Sequence, residues 1–131
     1  MGVVRLPQTL ERMKLHVTRD SVALGDDIAA PHERRFSFPD SMSIEEAIEK
    51  VVASNYLAGV QGGATWSVVS GFPIAVVAQR WESPRHVSWE PVTLKSLQSK
   101  DGFVGLHFNY HAQLDPEIVL EVLKKLKLNA F

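Results

Sequence analysis

The spacing of apolar residues along this chain switches from a period of two to helical spacing, back to two, and to helical spacing again. That order limits the folds open to it. From Met13, Leu15 and Val17 alternate with Lys14, His16 and Thr18, the mark of a half-buried strand. Glu33 to Phe38 repeats the pattern, with Arg34, Phe36 and Phe38 set against Arg35 and Ser37. The two segments are expected to pair as an antiparallel hairpin. Ser43 with Glu46 three residues later then forms a capping-box sequence. Behind it Ile44, Ala47, Ile48, Val51 and Val52 recur as one helical stripe.

Strand patterns return at Thr65 to Ser70, Ile74 to Trp81, His86 to Glu90 and Phe103 to His111, while Val92 to Leu97 fits a strand or a helical turn. The run Ile74 to Ala78 is apolar at every position, which predicts a central strand covered on both faces. Pro91 makes the short strand before it an edge. Asp115-Pro116 opens a last helix. Val119, Val122, Leu123 and Leu126 are its expected buried stripe, and Lys124, Lys125 and Lys127 suit its C-terminal dipole.

These elements predict an α+β fold: a mainly antiparallel sheet of about five to six strands with two amphipathic helices packed on one face. The hairpin–helix–hairpin order of residues 13–81 resembles the beginning of a β-grasp domain. The resemblance implies an order of elements and no activity, because such folds host many functions. With 131 residues in all, the chain suits one domain over 13–131, with 1–12 as an N-terminal extension.

Fourteen basic against fifteen acidic residues leave a net charge of -1, so the chain lacks the basic footprint of a nucleic-acid binder. The absence of cysteine excludes disulfides, thiolate metal sites and a cysteine nucleophile, and leans towards the cytoplasm. No apolar run approaches the roughly 20 residues of a membrane-spanning helix, and no membrane partner is expected. Gln61-Gly62-Gly63-Ala64-Thr65 is glycine-rich but lacks the lysine of a phosphate loop, and no cofactor is expected. A serine elbow of the G-x-S-x-G type is also absent.

Two groups of residues stand out as candidate sites. His107, Asn109 and His111 share one strand face, which could offer hydrogen bonds to a ligand or partner. On an extended strand the two histidines lie roughly 13 Å apart, too far for one metal ion. The same alternation also describes a plain solvated sheet face. Trp81 and Trp89 flank a chain break beside Arg80 and Arg85, the aromatic and arginine composition enriched at protein interfaces. Asp26, Asp27, His32 and Glu33 read as a solvated turn rather than a metal site.

The leading expectation is a non-enzymatic small protein-binding or interaction domain. Small bacterial immunity and antitoxin-like proteins share this profile, a likeness of type without a motif. One alternative is a small enzyme or ligand-binding domain using the histidine face, with Arg80 or Gln79 added from a neighbouring strand. A second is a structural subunit, a homo-oligomer built through an exposed sheet edge.

Overall fold

The computed structural model describes residues 11–22, 32–58, 62–88, 92–97 and 101–129. Trp89, Asp26 and Asp27 lie outside them. In chain order the elements are β1 (Arg12–Arg19), β2 (Arg34–Pro39), α1 (Ile44–Ala53), β3 (Thr65–Val69), β4 (Pro73–Ala78), β5 (Arg85–His86), β6 (Phe103–Tyr110) and α2 (Pro116–Asn129). Residues Leu94–Leu97, undecided from sequence, form a turn of 3-10 helix. The strands make one six-stranded sheet in the order β2-β1-β6-β3-β4-β5. Every pairing is antiparallel except that of β1 with β6, which run parallel inside the sheet.

Local chemistry explains the helix ends. The Ser43 hydroxyl accepts the Glu46 backbone N–H at 3.1 Å, the serine half of the capping box. The Ile44 N–H, another donor left free by the first turn, is taken by the Val92 carbonyl at 2.8 Å. At α2 the Asp115 carboxylate accepts the Glu117 N–H at 2.9 Å, with Pro116 in the first helical position. Gly71 joins β3 to β4 at φ +78°, a conformation that side-chain-bearing residues rarely adopt.

Residues opposite one another across a ladder share a face, so the registers assign each side chain to one side of the sheet. Met13, Leu15, Val17, Val104, Leu106, Phe108, Trp66, Val68, Ala75 and Val77 fall together on one side. They form the main core with Ile44, Ala47, Ile48 and Val51 of α1. Val76 points the other way, and packs with Val87 and with Val119 and Leu120 of α2 in a second cluster. The two helices therefore lie on opposite faces, which corrects the expectation that both pack on one. The physical reason is β4 itself: Ala75 and Val76 are both fully buried, so each face of that strand needs a cover.

The buried stripe of α2 also differs from expectation. Val119 and Leu120 are buried, with Leu123 packed beside them, whereas Val122 and Leu126 are 50% and 56% exposed. Because α2 covers only the β3–β4–β5 side, no element among the described residues covers the other face of β2, β1 and β6, and that is where the histidines sit. No helix among the described residues is long and apolar enough to cross a membrane.

Candidate functional site

β6 has β1 on one side and β3 on the other, so the polar face of His107 and Asn109 is completed by those two strands. Thr18 lies opposite His107 across the parallel ladder, and its hydroxyl is 2.7 Å from His107 Nδ1. His107 Nε2 is 2.8 Å from Asp20 Oδ1. An ionised carboxylate can only accept, so Nε2 carries the proton, and in the neutral ring Nδ1 accepts from Thr18. The second Asp20 oxygen accepts the Tyr110 backbone N–H at 2.8 Å. Burial pushes the Asp20 carboxyl up, but the bonds from Tyr110 and His107 and the charges of His107 and His111 outweigh it. Its pKa consequently lies below the ordinary value.

His111 follows β6 and reaches β3, where its Nε2 lies 2.8 Å from the Ser67 hydroxyl. Asn109 Nδ2 donates to the same hydroxyl at 3.4 Å. The structure therefore brings His107, Asn109 and His111 onto one face, but gives the two histidines separate partners. Arg80 and Gln79 have partners of their own. Gln79 accepts the Ala64 N–H at 3.1 Å, and Arg80 lies 4.0 Å from Asp115. The sequence names none of Thr18, Asp20 and Ser67 as partners, because the contacts close over long chain separations.

The order hydroxyl, imidazole, carboxylate at Thr18, His107 and Asp20 invites comparison with a nucleophilic triad. Two features separate it from one. An oxyanion needs free donors, and the backbone around His107 is engaged in ladders on both sides. Ser67, the hydroxyl beside His111, is 3% exposed and closed to a substrate. What the arrangement does is tie β1, β6 and β3 together across the open face.

Burial lowers the pKa of His111, with Asp20 pulling the other way, and lowers that of His86 against Glu45 and Glu49. The unfolded chain takes up these protons near pH 6.5, before the folded chain does. Stability is thus full above that value and falls as the pH drops through the folded values. The urea midpoint is expected to decrease between about pH 7.5 and 5.5, and the double variant His86→Gln, His111→Gln to lose most of that slope. A midpoint that rises on acidification would contradict the burial of these rings. Asp20, with its lowered value, adds a second loss below about pH 4.

The tryptophan–arginine corner serves α2. Arg85 stacks over Trp81 with its guanidinium carbon 4.1 Å from the ring centroid, and reaches Glu117 at 3.3 Å. Trp81 packs against the second core cluster, so Arg80, Trp81 and Arg85 hold the first turn of α2 to the sheet. Trp81 also borders a cleft of about 240 Å³ with Val52, Leu57, Trp66 and Val77, near the end of α1. That volume is below the roughly 300–1,000 Å³ of typical ligand pockets.

No family model, curated protein or solved structure matches this chain.

One feature of the geometry went unmarked in the sequence. Leu114, Ile118, Val122 and Leu126 are 59%, 62%, 50% and 56% exposed. Ile118, Val122 and Leu126, spaced by four, form a single row along the outer side of α2, and Leu114 lies just before the helix begins. The helix thus carries two apolar stripes, one spent on the sheet and one facing water. The signal was present as an excess of apolar residues over what one stripe needs.

Proposed function

We propose that the chain is a non-enzymatic protein-interaction domain that engages its partner through the outer side of α2. The row of Ile118, Val122 and Leu126 left exposed there, with exposed Leu114 just before the helix, carries this reading. A solitary exposed leucine is ordinary, whereas the largest contiguous apolar patch on a monomer is often functional. On the rival histidine face both ring nitrogens of His107 and one of His111 are already bonded within the protein. A ligand arriving there would have to replace bonds the protein already makes.

Cross-linking in the native host tests the reading. A photoreactive side chain at Ile118 is expected to give a discrete protein adduct that disappears with Leu126→Asp. The same group at His107 should give none. An adduct from His107 and none from Ile118 would move the function to the open sheet face.

A further inference from the structure

We infer that the partner on this surface is a second copy of the chain, with the two α2 helices packed antiparallel about a two-fold axis. The inference rests on the interaction reading above and adds the identity of the partner. The distribution of charge along α2 supports it. Glu121 lies in the first half of the helix and Lys125 in the second, both beside the apolar row, whereas Glu117 is held by Arg85 of its own chain. Among the described residues, Glu121 makes no ion pair with Lys125 on its own helix.

An antiparallel pairing centred on Val122 sets Ile118 against Leu126 of the other copy and Val122 against itself. It also brings Glu121 of each helix within two residues of the level of Lys125 on its mate. A parallel pairing would set acid against acid and lysine against lysine. Self-complementarity of this kind is what a two-fold interface requires, since one patch must serve both sides. Three side chains make a row no larger than the roughly 300–600 Å² of the largest patch on ordinary monomers. A standard interface buries about 800 Å² per partner, so the dimer should be weak and concentration-dependent.

Sedimentation velocity on the full chain over about 1 to 200 µM reads the equilibrium directly. The wild-type protein is expected to shift reversibly from monomer to dimer. Val122→Asp places two carboxylates at the axis and should raise the dissociation constant at least about 100-fold. Val122 is half exposed in the monomer, so circular dichroism should be unchanged; Ile118→Ser serves as a milder second variant. Glu121→Lys and Lys125→Glu should each weaken the dimer, and the double exchange should restore it, because the opposed charges are re-formed across the axis. A monomer at every concentration would overturn the inference, as would a dimer indifferent to Val122→Asp. A monomeric protein that still gives the Ile118 adduct with another protein would leave the interaction reading standing. Loss of both observations would remove both.

Discussion

Phe108→Ala is expected to lower the stability of the protein by roughly 3–5 kcal/mol. A small domain holds about 5–15 kcal/mol in total, so this one truncation should shift the urea midpoint severely. Phe108 is fully buried on β6, between Val68 of β3 and the Arg19 position of β1. Its ring meets that of Tyr56 edge-on, with centroids 6.0 Å apart. Tyr56 in turn gives its hydroxyl hydrogen to the carbonyls of His32 and Val17, at 2.5 and 3.3 Å. Burial raises the pKa of that hydroxyl to about 12, so it stays a donor across the ordinary pH range. A cavity at Phe108 is therefore enclosed by strands on both sides and by α1 above, with little freedom to collapse. His107→Ala, one residue away, should cost under about 1.5 kcal/mol, because it removes half-exposed hydrogen bonds rather than core volume. Equal losses at the two positions would mean that the core does not sit on the α1 side.

Most of what local pattern controls was legible in the sequence. The Ser43 cap, the buried stripe of α1, the Asp115-Pro116 start and the alternation of β6 all depend on residues a few positions apart. The structure realises each of them. The relation between elements was less legible. Periodicity tells which side of a helix is apolar, but not which face of the sheet receives it. The all-apolar stretch at β4 held the clue, because a strand buried on both sides calls for a cover on each. The parallel neighbour of β6 was likewise hidden. β1 and β6 are separated by most of the chain, and only their pairing delivers Thr18 and Asp20 to His107. His107, Asn109 and His111 could thus be grouped by alternation alone, while the groups that satisfy them could not. In α2 the sequence offers more apolar positions than one interface uses. Val119 and Leu123 were assigned correctly to the sheet, and Val122 and Leu126 were not, because the angle between the stripes is set by the sheet beneath.

That division of α2 leads to the second large effect, Leu120→Ala, expected to cost roughly 2–3 kcal/mol. The loss should be local rather than global. Leu120 belongs to the small cluster of Val76, Val87, Val119 and Leu120, which lies across the sheet from the main core. Beyond that cluster α2 is held by the Arg85–Glu117 and Arg80–Asp115 pairs, at 3.3 and 4.0 Å, and by the Thr65 hydroxyl on the Leu114 carbonyl at 2.7 Å. Exposed ion pairs contribute at most about 1 kcal/mol each, so they cannot hold the helix once its apolar anchor is cut. A 14-residue helix is also marginal by itself in water. Hydrogen exchange should show the α2 amides losing protection in Leu120→Ala while those of β1 and β6 keep theirs. Partner binding should weaken in parallel, although Leu120 faces the sheet, because the outer row exists as a surface only while the helix is formed. If α2 and β6 instead lose protection together and by the same amount, the two faces of the sheet fold as one unit. The outer row would then be as rigid as the core, and weakened binding in Leu120→Ala would have to be assigned to global unfolding.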